Sequence, residues 1–184
     1  ISIIKEIMKF SYLFLFIAIV GLSSCSSSYK ELSNKDHTPP SKLSKHLLEA
    51  YKIQADFEAK EMHDWNAAKL YAEKALRASK GIKITPEKIS YWKLSKKEAK
   101  ELEKAYENLM AIYEDAIKKD PYNLAIAISS LDCWAEQQEE GWQTWDIKRC
   151  KGDFLTAVHK IYSVLKESEN KNIENIESSE KTTI

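Results

Sequence analysis

Glycine and proline are scarce, four of each in 184 residues. Sheet-rich folds draw on both at their frequent turns, so the shortage argues against them. The abundance of Ala, Glu, Lys and Leu argues for helices. An excess of either charge is also missing, because 28 Lys and Arg face 28 Asp and Glu. A balanced chain offers no electrostatic footprint for nucleic acid. Only three cysteines occur, none close enough in sequence to another for a Cys-x-x-Cys motif. His37, His46, His63 and His159 are scattered without metal-binding spacing, so no metal site is expected. No phosphate loop and no Ser–His–Asp set can be identified. The apolar run from Phe10 to Leu22 is about 13 residues long, too short to cross a bilayer core as a stable helix.

What that run does have is Lys5 and Lys9 before it, the basic-then-apolar order of a secretory signal. Met8-Lys9-Phe10 would itself open a compact version of one, so the chain start is read as Ile1 or Met8. The run leads into Leu22-Ser23-Ser24-Cys25, which resembles the lipobox of bacterial lipoproteins. The resemblance implies diacylglycerol on the Cys25 thiol, cleavage before Cys25 and acylation of the new amino terminus. Thiolate is a good nucleophile for that transfer, and two or three acyl chains hold a protein on a membrane where one does not. No other cofactor is expected. Ser26 and Ser27 follow without an acidic residue, which in lipoproteins of this kind implies the periplasmic face of the outer membrane.

The rest divides by composition. Residues 1–24 read as the lipoprotein signal peptide and 25–43 as a flexible tether rich in Ser, Lys, Asn and Pro. Residues 44–167 read as a helical domain and 168–184 as a disordered tail or linker. About 160 residues remain after cleavage, enough for one modest core. Inside the domain, Leu47, Leu48, Tyr51, Ala55, Ala59 and Met62 form one helical stripe. Ile53 and Phe57 lie off it, so that helix is expected to bury two faces. Asp64 is a candidate N-cap for a helix with Ala67, Ala68, Tyr71, Ala72, Ala75 and Leu76 inside, ended by Gly81. Thr85-Pro86-Glu87 starts a short turn in which Tyr91 and Trp92 are expected as plugs. Ser95 with Glu98 makes a capping box for a helix buried along Leu102, Ala105, Leu109, Ile112, Tyr113 and Ala116. Asp120-Pro121 stops that helix and starts the next, with Leu124, Ala127, Ile128, Leu131, Trp134 and Ala135 inside and Gly141 at its end. Thr144 is the expected cap of a last helix carrying Ile147, Cys150, Phe154, Val158, Ile161 and Leu165. The fold class is all-α, either tetratricopeptide-like antiparallel pairs or an irregular five- to six-helix bundle.

The densest string is Leu131-Asp132-Cys133-Trp134-Ala135-Glu136-Gln137-Gln138-Glu139-Glu140-Gly141-Trp142-Gln143, followed by Ile147-Lys148-Arg149-Cys150. It resembles the N-terminal region of alphaproteobacterial OmpA-family lipoproteins. Phe57-Glu58-Ala59, Asp64-Trp65, Ala72-Glu73-Lys74-Ala75-Leu76 and Gly81 fit the same region, over roughly residues 45–165. The resemblance implies an envelope role. Members of that family usually continue into an α/β module that grips the diaminopimelate of peptidoglycan. No strand–helix alternation of that kind occurs before Ile184, so direct peptidoglycan binding is not carried over. The chain is read as either a fragment or a variant lacking that module.

Several residues in this string invite a functional reading. Cys133 and Cys150 lie almost equally far from Gly141, so an antiparallel hairpin brings them level, and an exported location permits a disulfide. Cys133 sits about 200° round its helix from Leu131, beside Ile126, Ser130 and Gln137, so the bond needs that helix to turn a second face inward. Asp132, Glu136, Glu139 and Glu140 share a face, as paired catalytic carboxylates would, although such a face is more often simply solvated. Gln137 and Gln138 are expected to hydrogen bond neighbouring elements. Trp134, Trp142 and Trp145 are core plugs or else an aromatic surface at the turn. The expected function is a lipid-anchored, non-catalytic module that docks an envelope protein, with Trp134, Glu136, Gln137, Gln138, Trp142 and Trp145 as candidate partner-binding residues. The alternative is an envelope hydrolase acting on peptidoglycan.

Overall fold

The computed structural model describes residues 27–181, with side chains through residue 171. The signal peptide assigned to residues 1–24 and the lipidation assigned to Cys25 lie outside the described residues. The fold is all-α. Among the described residues six helices run in order, α1 (Ser27–Asn34), α2 (Lys42–Phe57), α3 (Trp65–Ser79), α4 (Lys96–Lys119), α5 (Pro121–Glu140) and α6 (Thr144–Lys181). A π-helical turn over Glu58–Met62 extends α2, and a 3-10 turn covers Ile89–Tyr91. No strand occurs among the described residues, and no helix among them is long and apolar enough to cross a membrane.

Local chemistry sets the helix ends. Ser41 accepts from the Ser44 N–H and starts α2. Asp64 Oδ1 accepts from the N–H groups of Asn66 and Ala67 and starts α3, satisfying donors that a helix start leaves orphaned. The capping box of Ser95 and Glu98 is complete in both directions at α4. Asp120 accepts from the Asn123 N–H, with Pro121 in the first turn of α5. Gly141 ends α5 in the left-handed region at φ 72°. Gly81, at φ 74°, also makes room: a Cβ there would stand 2.7 Å from Pro40 Cγ. Thr144 is not the cap of α6. It opens the helix, and the Gln143 carbonyl accepts from Asp146 and Ile147.

Two antiparallel hairpins, α2/α3 and α5/α6, meet through α2 and α5, while α4 packs on α5 and α6. Small alanines (Ala55, Ala68, Ala72 and Ala75) are fully buried between α2 and α3, and Tyr51 stacks on Tyr71 with ring centroids 6.0 Å apart. Helix α5 is central. Leu124, Ala127, Ile128 and Leu131 are buried on one side, and Ser130, Cys133 and Gln137 on another. A helix covered all round needs no amphipathic stripe. That second face brings Cys133 to Cys150 of α6 at disulfide-bonding distance, with Cα atoms 5.7 Å apart.

Some expectations need correction. The tether assigned to 25–43 includes α1, which packs on α3. Tyr29 and Leu32 stand three residues apart on one helical face; Leu32 is buried and Tyr29 donates to Asp56 Oδ1 at 2.6 Å. Helix α6 continues to Lys181, through most of the span 168–184 assigned to a disordered tail or linker. Ile53 is 70% exposed, so α2 does not bury its second face there, and Tyr91 is 59% exposed while Trp92 is buried. The hairpins form no regular repeat, because the 24-residue α4 is interposed and packs on both α5 and α6. The arrangement is the irregular bundle rather than a tetratricopeptide array.

Candidate functional site: an acidic corner and a buried ion pair

Helix α5 carries two polar centres, one around the buried Asp132 and Lys74 and one open to a cleft. The first is built on Asp132. Its Oδ2 accepts from Tyr51 of α2 at 2.6 Å and pairs with Lys74 of α3. Its Oδ1 accepts from the backbone N–H of Glu87 at 2.6 Å. Lys74 Nζ also donates to the Thr85 carbonyl at 3.1 Å and pairs with Glu87 Oε1 at 3.0 Å. Lys74 and Asp132 are both buried. Burial pushes the Asp132 carboxyl up, against the opposing pull of Lys74, Tyr51 and the Glu87 N–H. The network fastens α2, α3, α5 and the 85–87 loop to one another. Asp132 is thereby withdrawn from the carboxylate set that the sequence groups with Glu136.

The second centre lies one turn further along α5. Carboxylate oxygens of Asp64, Glu136 and Glu140 all lie within 4.8 Å of one another. Glu136 and Glu140 share a helix face, and Asp64 joins them from the start of α3. The chain reaches that corner through the π-helical turn. His63 follows it in the left-handed region at φ 57°, a conformation in which histidine is enriched. The Asp64 N–H then donates to the Glu58 carbonyl at 3.0 Å. Glu58, the first residue of the turn, is buried, and its Oε2 has no hydrogen-bond partner.

Burial raises the Glu136 carboxyl to about 8, and Glu58 is the neighbouring charge that acts on it most strongly. Burial, then Glu140, Asp64 and Asp146, raises Glu58 to about 7, opposed by Arg149. Glu140 is raised for the same reasons, burial first and Asp64 next, while a hydrogen bond from Trp142 lowers it. The Arg149 guanidinium is engaged elsewhere, donating to Asp146 Oδ1 from Nε at 3.0 Å and from Nη2 at 2.8 Å. The corner opens into a cleft of about 240 Å³ lined by Asp64, Glu136, Glu139, Glu140, Tyr91 and Trp92, among others.

The candidate partner-binding residues separate. Trp134 is buried against Phe154, with ring centroids 6.0 Å apart. Glu136 and Gln137 are buried, and Gln137 Nε2 donates to Glu136 Oε2 at 2.8 Å. Gln138 is half-buried and donates to Glu98 Oε1 of α4 at 2.9 Å. Trp142 and Trp145 are 68% and 58% exposed at the α5–α6 turn. Glu139 is exposed and accepts from the Lys93 N–H. Glu58, Lys74 and Asp64 are not legible in the sequence as members of polar centres. A charged residue among alanines in the inward stripe around Lys74 is the one local signal that was there to use.

No protein-family model matches the chain, and no curated protein or solved structure matches it either.

Proposed function

We propose that this chain is a lipid-anchored lipoprotein of the cell envelope whose helical module docks a protein partner and performs no catalysis. The lipobox at Cys25 supports the anchor, and the resemblance to OmpA-family lipoproteins supports the envelope and the outer membrane. The observation that carries the docking role is the exposure of Trp142 and Trp145 together at the tip of the α5/α6 hairpin. Large aromatic side chains left in water on a rigid support are the usual anchors of protein interfaces. The Cys133–Cys150 pair and the buried Trp134 hold that support.

The hydrolase alternative keeps one favourable feature, a Glu136 carboxyl raised to about 8 and so able to donate a proton near neutral pH. It loses Asp132 to the Lys74 pair. Two assays separate the readings. A photo-cross-linker at position 142 should give a discrete protein adduct in cells, and one at the exposed Glu107 of α4 should not. Equal adducts at both positions, or none at 142, contradict the docking role. Purified protein should release no fragments from cell wall; release abolished by Glu136→Gln would establish the hydrolase instead.

A further inference from the structure

We propose that Asp64, Glu136 and Glu140 bind a divalent cation of the hard, oxygen-seeking class, with Ca²⁺ as the probe. The three side chains come from the cap of α3 and from α5, distant in sequence, yet their oxygens converge within 4.8 Å. Calcium is held by several carboxylate and carbonyl oxygens in flexible geometry, and the thiolate or imidazole that zinc and copper favour is absent from the cluster.

Each carboxylate has an oxygen to spare. Asp64 Oδ1 is spent on the cap of α3, leaving Oδ2. Glu136 Oε2 accepts from Gln137, leaving Oε1. Glu140 Oε2 is buried without a partner. A second observation points the same way. Glu58 is 3% exposed, and its Oε2 is also without a partner. It stands beside the cluster, because its backbone carbonyl accepts from the Asp64 N–H at 3.0 Å, and Glu140 and Asp64 are the charges that act on it most.

Four acidic groups thus share one corner, and Arg149, which opposes Glu58, is itself held by two hydrogen bonds to Asp146 Oδ1. Burying unpaired charge is expensive unless a counter-ion or a proton neutralises it. A divalent cation between α3 and α5 neutralises two charges at once and leaves the cleft side open for water ligands. Bound there, it would tie the start of α3 to the end of α5, one residue from Gly141 and two from Trp142.

The test uses the purified protein, stripped with chelator and titrated with CaCl₂ by calorimetry. Terbium is the parallel probe, because Trp92 in the cleft wall can sensitise its luminescence. One Ca²⁺ should bind per chain and raise the unfolding temperature. Glu136→Gln should weaken binding by on the order of tenfold or more while leaving the helical spectrum unchanged. Glu140→Gln, on a half-buried side chain, provides a second variant should Glu136→Gln fail to fold. No calcium uptake by about 10 mM, above the range of weak extracellular calcium modules, overturns the proposal. So does uptake that a folded Glu136→Gln or Glu140→Gln variant leaves unchanged.

Discussion

At the scale of single residues, the Lys74–Asp132 pair makes the sharpest demand on the fold. Both side chains are buried and every oxygen of Asp132 is engaged. Removing one member of a buried pair leaves an uncompensated charge, a loss of about 3–5 kcal/mol. Asp132→Ala is therefore expected to lower stability by that amount in urea unfolding at pH 7, and Lys74→Met to do nearly as much. A change below about 1 kcal/mol, the size of an exposed pair, would show that the network does not hold the core. The sequence shows an acidic residue on a helix face and cannot show that its partner sits 58 positions earlier. The same limit hid Glu58, because a π-helical turn shifts side chains out of the ordinary helical register and a 3.6-residue stripe does not follow them.

At the scale of elements, what was legible is what is local. Asp64, the Ser95–Glu98 box, Asp120-Pro121, Gly81 and Gly141 act within a few residues of themselves, and each marks a helix end where expected. Helix α1 was not legible, since its short packing face of Tyr29 and Leu32 is diluted by serine and lysine. The exposure of Ile53 was not legible either, since a stripe says which residues could be covered and not whether another helix arrives. The α5/α6 hairpin was read in more detail, down to the turn of a second α5 face toward Cys150. A bridge between Cys133 and Cys150 would close a loop with a sequence separation of 17, stabilising by about 3 kcal/mol if it acts on unfolded-chain entropy. Reduction, or Cys133→Ala with Cys150→Ala, should cost about 2–3 kcal/mol in the same unfolding experiment. Reaction of Cys133 or Cys150 with a thiol reagent in the unreduced, denatured protein would contradict the bridge.

At the scale of the whole molecule, the charges balance in sequence but not in space, because the acidic corner gathers Glu58, Asp64, Glu136 and Glu140. In the metal-stripped protein, the folded state holds protons on Glu58 and Glu136 up to about 7 and about 8. The unfolded chain releases them near the ordinary glutamate value of about 4.5. Between those limits the folded state binds more protons, so stability falls as pH rises. The contribution is complete below about 4.5 and gone above about 8, read as one coupled pair rather than as two separate sites. Unfolding midpoints with chelator should therefore decline from pH 5 to pH 8, and Glu136→Gln should flatten the decline. A rising or level profile in that interval would contradict the buried, mutually repelling arrangement.

On the proposed function, a lipid on Cys25 would join this bundle to a membrane and leave Trp142 and Trp145 facing a partner. Its central claim is the lipid. The most direct measurement is metabolic labelling of expressing bacteria with a clickable fatty acid, followed by purification of the protein under denaturing conditions. The account predicts a label on the wild-type chain that Cys25→Ser abolishes. A wild-type chain recovered in quantity without label, or a label that persists in Cys25→Ser, would contradict it.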